Sequence, residues 1–271
     1  MDKNNNSSIA VLIPCQGYSD YLKRCLSALS SQNDRDFEVI VSMADPITED
    51  FETFTRESSP GVRFIKVTPT KPFSLSRIRN MMAKFADSDY FLFLDADRLV
   101  PTNFIQSYRD VWREQGNVQV YAYHAGLPEW FDSDWAMNNL NALMESVNMA
   151  TRRGGAWGAF QGVPAKCFEQ VDGYNWELES WGAEDVDLHE RLVLGCDCPA
   201  VFVHTIAFAQ WHPPNADPQS SLHNKNLCIQ RIVDQFGLDH ITEVAKKRKL
   251  FWEYEAPPPP LEQPEPSCHP L

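Results

Sequence analysis

Two aspartates separated by a single alanine, Asp95 and Asp97, follow an uninterrupted apolar run from Tyr90 to Leu94. Such a run of aromatic and aliphatic residues is typical of a strand buried on both faces. On an extended chain alternate side chains point the same way, so both acids would face one target. Paired carboxylates repel each other unless a cation lies between them, and ligands bind at the carboxyl ends of strands in open α/β sheets. The pattern indicates a divalent-metal site for a phosphorylated ligand, although an acidic, solvated turn would have the same sequence.

Strands and helices alternate through the first half of the chain, and they must position these acids. Apolar runs predict strands at Ile9 to Ile13, Phe37 to Val41, Val62 to Val67, Tyr90 to Leu94 and Val118 to Tyr123. Helical spacing predicts helices from Tyr18 to Leu29, Leu75 to Ala86 and Pro101 to about Gln115. This order predicts an α/β fold with a mixed, mostly parallel central sheet and helices on both faces.

The second half of the chain has a different pattern. An aromatic and then helical stretch runs from Trp130 to Met149, with a stripe of Met137, Leu140, Met144 and Val147 that favours core packing over a cofactor site. Further elements are predicted as a helix from Ala183 to Leu194 stopped by Gly195, a strand from Val201 to Ala209 and a helix from Ser220 to Phe236. The Asn-rich residues 1–8 and the Pro-rich, acidic residues 256–271 are predicted to be disordered.

Composition limits the classes of partner. The 271-residue chain has 37 acids, 24 bases and a formal net charge of −13, which disfavours nucleic acid and anionic membrane surfaces. No apolar stretch approaches the length of a transmembrane helix, and the N-terminus is unlike a signal peptide. The seven cysteines are scattered, and Cys196-Asp-Cys198 is too tight for a usual zinc pair. We expect reduced thiols in a cytoplasmic protein, with peripheral attachment to a membrane left open.

Several segments together resemble family 2 glycosyltransferases with the A-type nucleotide-sugar-binding fold. Those similar to the first half of that family are Ile9-Ala-Val-Leu-Ile-Pro14, Phe37-Glu-Val-Ile-Val41, Ser76-Arg-Ile-Arg-Asn80 and Phe91-Leu-Phe-Leu-Asp-Ala-Asp97. Two later segments resemble a galactosyltransferase-type C-terminal signature that is also found in chondroitin-polymerase-like enzymes: Val171-Asp-Gly-Tyr-Asn175 and Trp181-Gly-Ala-Glu-Asp-Val-Asp-Leu188. The resemblance implies one Rossmann-like domain with a nucleotide-sugar-binding half at 9–123 and an acceptor-binding, catalytic half at 124–255.

The resemblance also implies a metal centre. Asp97 would bind the metal, and Asp95 would lie near the ribose or support the metal through water. His212, in Gln210-Trp-His-Pro-Pro214, would be the third ligand. Oxygen ligands suit Mn²⁺ or Mg²⁺, and an imidazole favours Mn²⁺. A loop histidine fixed by its prolines is the structural alternative for His212.

The implied reaction is inverting transfer from a UDP-sugar to a hydroxyl of a carbohydrate or glycoconjugate acceptor. Asp185 would be the catalytic base, Glu184 would hydrogen-bond a sugar, and Trp181 would stack on a sugar face. Both acids open a predicted helix, where the macrodipole alone favours negative charge, and Trp181 could equally be a core residue.

The remaining implied contacts concern the nucleotide. Pro14 and Gln16 would border the uridine, and Arg79 would brace the nucleotide or the Asp95–Asp97 turn. One departure from the family pattern lies at the end of the second strand, where Ser42-Met43-Ala44 replaces the usual acids and Asp45 follows one step later. Asp45 is therefore the expected substitute contact for the nucleobase.

The sequence also allows three alternatives to a glycosyltransferase. An aspartyl-phosphate phosphatase also uses two aspartates after a buried strand, but Leu99 stands where that chemistry wants Thr or Val. A nucleotidyltransferase would need a Gly-rich, Arg-containing loop after the first strand, which Pro14-Cys-Gln-Gly-Tyr18 lacks. A catalytically impaired nucleotide-sugar-binding or scaffold protein on the same fold is supported only by the altered Ser42-Met43-Ala44 corner.

Overall fold

The computed structural model describes residues 7–15, 20–43, 53, 61–67, 73–147, 157–180, 182–213 and 218–254. These residues form one eight-stranded sheet. Its strands are β1 Ile9–Pro14, β2 Phe37–Met43, β3 Val62–Lys66, β4 Tyr90–Leu94, β5 Arg98–Leu99, β6 Gln119–Gly126, β7 Phe160–Pro164 and β8 Ala200–Ala209. The helices are α1 Asp20–Ser30, α2 Leu75–Ala83, α3 Phe104–Gln115, α4 Ser133–Asn138, α5 Leu140–Ser146, α6 Ala165–Gln170, α7 Glu184–Cys196, α8 Pro218–Phe236 and α9 Leu238–Ala245.

The sheet has the order β3-β2-β1-β4-β7-β6-β8-β5. The four strands β3, β2, β1 and β4 are parallel. Strand β7 is antiparallel to both β4 and β6, whereas β8 runs parallel to β6 and antiparallel to β5. The predicted mixed α/β sheet is thus confirmed, with its parallel part concentrated in the half that precedes Asp95.

Helices cover both faces of the sheet. Alternate residues of β1 belong to different core clusters: Val11 packs with Leu26 of α1, and Leu12 packs with Met82 of α2. A strand covered on both sides cannot alternate apolar and polar residues, which explains the continuous apolar runs of β1 and β4. A third cluster joins α7, α8 and α9 with Trp252 near the end of the described chain.

Some predicted boundaries are wrong. Helix α3 begins at Phe104, three residues after Pro101, and α7 continues through Gly195 and ends before Asp197, whose φ of 48° closes it. The stretch from 133 to 146 is two short helices, although its apolar stripe packs against the core as predicted.

Some expectations are not tested by the described residues. The predicted disordered segments lie outside them, apart from Ser7 and Ser8; Ser8 donates its backbone N–H to Asp89 at 2.8 Å.

No helix among the described residues combines the length and apolar character needed to cross a bilayer.

Candidate active site

The two aspartates lie in a turn and not on an extended strand. Strand β4 ends at Leu94, and the backbone N–H of Arg98 donates to the carbonyl of Asp95 at 3.1 Å, which closes the turn. The expectation that Asp95 and Asp97 face one target because they alternate along a strand is therefore wrong. The turn nevertheless keeps both acids next to Arg98, the residue that begins strand β5 directly after it.

Arg98 supplies the positive charge that two neighbouring carboxylates require. Its Nε lies 3.2 Å from Asp97 Oδ1, and its Nη2 lies 3.8 Å from Asp95 Oδ2. Burial raises the pKa of Asp97, the charge of Arg98 opposes that shift, and the charge of Asp95 adds to it. The electrostatic repulsion at the end of β4 is therefore offset by this chain's own guanidinium.

Arg79 connects this turn to a distant part of the sequence. From helix α2 its Nη2 donates to Asp95 Oδ1 at 2.9 Å and to the carbonyl of Gly158 at 2.8 Å, and its Nη1 donates to Glu184 Oε1 at 3.3 Å. The guanidinium is almost fully buried and lies over the ring of Tyr174, 5.2 Å from its centroid. A planar fork of donors is the side-chain shape that can serve several acceptors at once.

Glu184 is the first residue of helix α7. Its Oε2 accepts from the backbone N–H of Gly182 at 3.0 Å, and the preceding Ala183 has a left-handed φ of 71° that turns the chain into the helix. Burial raises the pKa of Glu184 to about 7, the neighbouring charge of Asp185 adds to the shift, and Arg79 opposes it. Glu184 therefore holds its proton more tightly than an exposed carboxyl group does.

Asp185 is held by backbone amides at both carboxylate oxygens. Its Oδ2 accepts from Gly158 at 2.9 Å, and its Oδ1 accepts from Val186 at 2.9 Å. The side chain borders a cleft of about 410 Å³ that is also lined by Ser221, Lys225 and Trp252. Asp185 thus joins the Arg79 network on one side and an open cleft on the other.

His212 lies beside the second aspartate. Its Nε2 is 3.5 Å from Asp97 Oδ2, and its Nδ1 is 2.9 Å from the carbonyl of Pro213. The backbone N–H of Gln210 donates to the carbonyl of Asp97 at 3.0 Å, which ties the end of β8 to the turn. An imidazole whose Nδ1–H faces a carbonyl keeps its Nε2 lone pair for a metal, the second-shell pattern of many metal-bound histidines.

The described side chains around Asp97 supply only part of the ligand set that a metal centre needs. Asp97 and His212 fit a divalent cation in chemistry and proximity, but Asp95 is already engaged by Arg79 and Arg98. Within the described part of the chain, no three His, Cys, Asp or Glu side chains are arranged as a metal-binding group.

Comparison with known proteins identifies the family. The model of glycosyl transferase family 2 matches residues 10–168, which is more than half of the chain. The chain belongs to glycosyl transferase family 2. No curated protein matches it at significant similarity.

Solved structures support the same fold for this family 2 chain. A structure of GalNAc-T7 with UDP, GalNAc and Mn²⁺ is 14% identical with a TM-score of 0.65, and the match covers 84% of this chain and 48% of that one. Residues 1–349 of TarS from S. aureus, in complex with UDP-GlcNAc, are 14% identical with a TM-score of 0.61, covering 89% of this chain and 73% of that one. This chain therefore spans about half the length of the GalNAc-T7 chain.

Four further residues of this family 2 chain were predicted to contact the nucleotide or the sugar, and the structure describes one of them, Pro14. Pro14 ends β1 and pairs in register with Ser42, and the next backbone N–H, of Cys15, donates to the Ser42 carbonyl at 3.1 Å. The remaining three, which are Gln16, Asp45 and Trp181, lie outside the described residues.

The side chains of two other charged residues, Arg77 and Asp187, make hydrogen bonds within the domain. Arg77 donates through Nε to the carbonyl of Trp176 at 2.9 Å and is not aimed at the site. Asp187, the third acid of the signature, is fully buried and accepts from Arg191 at 2.6 Å.

Sequence reasoning missed two members of the site. Arg98 directly follows the second aspartate, and an arginine next to an acid pair at the end of a buried strand was a signal that could have identified it. Gly158 joins Arg79 to Asp185 through its backbone carbonyl and N–H, and a backbone contact of this kind leaves no mark on residue type.

Proposed function

We propose that this chain transfers a sugar from a UDP-sugar to a hydroxyl group of a carbohydrate or glycoconjugate acceptor, with inversion at the anomeric carbon and with Mn²⁺ or Mg²⁺ bound. The observation that supports this most directly is the Arg79 guanidinium, which bonds both Asp95 and Glu184. It brings the aspartate turn, where a nucleotide diphosphate would bind, next to the acids that would act on an acceptor. Family membership and the UDP-bound neighbours support the same donor class.

On the donor side, Asp97 and His212 would hold the cation. Such a cation would neutralise the charge that develops on the departing diphosphate. Arg98, whose Nε lies 3.2 Å from Asp97, opposes the rise in the pKa of that carboxyl group that burial causes. Asp95, fixed by Arg79, would contribute through the ribose or through water and would not be the primary ligand.

On the acceptor side, Asp185 would take the proton from the attacking hydroxyl. The acceptor oxygen forms the new bond to the anomeric carbon as the bond to UDP breaks on the opposite face, so the configuration inverts. The two amide hydrogen bonds to Asp185 fix its orientation, and each oxygen retains a lone pair for the incoming hydroxyl. The cleft it borders, about 410 Å³ in volume, suits one or two sugar rings.

Glu184 would have a positioning role. Its bonds to Arg79 and to the N–H of Gly182 hold the start of α7 against the aspartate turn. A carboxyl with a pKa of about 7 can also donate a hydrogen bond to a sugar in its protonated form.

A panel of UDP-sugars tests the proposal, with release of UDP measured in Mn²⁺, in Mg²⁺ and in EDTA. We expect slow hydrolysis of one or a few UDP-sugars that stops in EDTA and increases when the correct acceptor is added. Calorimetric binding of UDP without hydrolysis of any sugar would instead favour the scaffold protein. Absence of both binding and hydrolysis at saturating Mn²⁺ would overturn the proposal.

The cytoplasm is the compartment that we propose for this reaction. The six cysteines among the described residues are all free thiols, and free thiols persist in reducing compartments.

A further inference from the structure

Helix α8 contributes a lysine to the cleft that Asp185 borders. The cleft has a volume of about 410 Å³, and the polar side chains that line it in the described part of the chain are Asp185, Ser221 and Lys225. Trp252 and the exposed Leu222 form apolar parts of the same wall. An apolar wall with a few convergent polar groups is the usual lining of a small-molecule site.

Buried contacts fix this part of α8 against the segment that precedes helix α7. Asn224 is almost fully buried, and its Nδ2 donates to the carbonyls of Glu179 at 2.9 Å and Gly182 at 3.1 Å. A Cβ on Gly182 would lie 2.6 Å from Ser221 Oγ, so the helix and the segment meet over a glycine. Ser221 and Lys225 are one turn apart and share the face of α8 that lies toward the cleft.

Lys225 brings a positive charge to this cleft. Its side chain is exposed, and within the described ranges it takes part in no ion pair. The other charged group of the lining is Asp185, the proposed base. A carboxylate alone would repel an acceptor of its own sign, whereas a cleft that also holds an ammonium group can attract one. A neutral acceptor would gain nothing from that charge.

We propose that the acceptor carries a negatively charged group, which is a carboxylate, a sulfate or a phosphate, and that Lys225 binds this group beside the reacting hydroxyl. The inference rests on the glycosyl transfer proposed above and adds the charge of the acceptor to it. All three groups present oxygens to the ammonium, which acts as a point charge on a flexible stem and does not demand one geometry. Lys225 is then the residue that selects a charged acceptor over a neutral one.

The size of the cleft limits where that charge lies on the acceptor. Because about 410 Å³ admits one or two sugar rings, the charged group belongs to the ring with the reacting hydroxyl or to the next one. The chain as a whole has a formal net charge of −13, which repels a long polyanion. Lys225 therefore recognises one local charge near the hydroxyl and not a high charge density along a polymer.

The test gives the full-length protein a UDP-sugar that it hydrolyses and compares matched acceptors. Methyl glycosides of several hexoses are offered beside counterparts whose primary alcohol is oxidised to the carboxylate, sulfated or phosphorylated, which also separates the three kinds of anion. We expect kcat/KM for the best charged acceptor to exceed that of its neutral counterpart by ~10-fold or more, mainly through KM. Lys225→Gln should reduce this ratio to about 1, whereas Lys225→Arg should retain most of it.

Lys166→Gln is the matched control, at an exposed position of α6 that does not line the cleft, and it should keep the preference. Release of UDP without acceptor tests the proposed function separately. Hydrolysis with no preference for charged acceptors, no use of any charged acceptor, or a preference that survives Lys225→Gln would overturn this inference and leave the glycosyltransferase standing. Absence of both UDP binding and hydrolysis would instead remove the proposed function, and this inference with it.

Discussion

Arg79 has acceptors on three separate parts of the chain: the aspartate turn, the Gly158 carbonyl and the start of α7. Arg79→Lys keeps the positive charge but replaces a planar fork with a single ammonium, which cannot serve all three acceptors. We expect at least a ~10-fold loss of UDP-sugar hydrolysis, since the carboxyl groups of Asp95 and Glu184 lose their fixed orientation. The rate of UDP release at saturating donor measures the effect.

Arg77→Lys is the matched control, because Arg77 is on the same helix and its side chain donates to the Trp176 carbonyl, away from the aspartate turn. Equal losses in the two variants would show that Arg79 has no special role.

Asp97 and His212 are the residues whose removal should separate metal binding from nucleotide binding. Asp97→Ala and His212→Ala should each remove the increase in UDP affinity that Mn²⁺ produces, because one charge or one ligand of the pair is lost. Calorimetric titration with UDP, with and without Mn²⁺, measures this difference. His223→Ala, at an exposed position on α8, should behave as the wild type. A Mn²⁺ effect that survives both substitutions would mean that the cation binds elsewhere.

Asp185 should affect the transfer step and not donor binding. Asp185→Asn keeps the size of the side chain and one acceptor oxygen but removes the base, so UDP affinity should stay within about 2-fold while transfer falls by ~100-fold or more. The measurement is transfer to acceptor beside UDP titration. Near-wild-type turnover in this variant would contradict the assignment of the base.

At the scale of elements, the parallel half of the sheet could be predicted because its strands are covered on both faces and so consist of continuous apolar runs. Strand β7, Phe160–Pro164, was missed because it contains glycine and proline and becomes a strand only between β4 and β6. Strand β5 has two residues and no periodicity of its own. The aspartates were singled out by residue type alone, whereas their turn geometry and the contact with Arg98 depend on tertiary structure, which residue type does not reveal.

The packing of α3 on β7 gives a test at this scale. A Cβ on Gly162 would lie 2.8 Å from ring atoms of both Tyr108 and Trp112, so the helix can approach the sheet only over a glycine. Gly162→Ala should lower the free energy of unfolding by about 1–3 kcal/mol, as overpacking does in other cores. Urea denaturation measures it, and Gly126→Ala, where a Cβ meets nothing within 4 Å, is the control. Equal stability of the two variants would contradict this account of the interface.

At the scale of the whole molecule, the end of the described chain folds back onto helix α7, which begins with Glu184 and Asp185. Glu190, in the middle of α7, is fully buried, and its Oε1 accepts from the backbone N–H groups of Phe251 and Trp252. Trp252 also lines the cleft beside Asp185. One buried carboxyl group thus links residues 251–252, helix α7 and the cleft that Asp185 borders.

The buried carboxyl group of Glu190 makes the stability of the fold depend on pH. Burial raises the pKa of Glu190 from 4.5 to about 7, while the amide hydrogen bonds oppose that shift. The folded state therefore binds the proton more tightly than the unfolded state, so the contribution to stability is complete below pH 4.5 and is lost as pH rises through about 7. Glu190→Gln keeps an acceptor for both amides and cannot ionise, so its thermal midpoint should fall less than that of the wild type between pH 5 and pH 8.

Thermal unfolding of both proteins across this pH range measures the difference, which should reach several degrees at pH 8 in favour of the variant. Glu184, whose pKa is raised to about 7 by burial, contributes a slope of the same sign in both proteins, so the comparison isolates Glu190. Glu169→Gln, at an exposed position on α6, should follow the wild type. Parallel curves for wild type and Glu190→Gln would mean that Glu190 is ionised at neutral pH. Its carboxylate would then accept the two amide hydrogen bonds in the charged form.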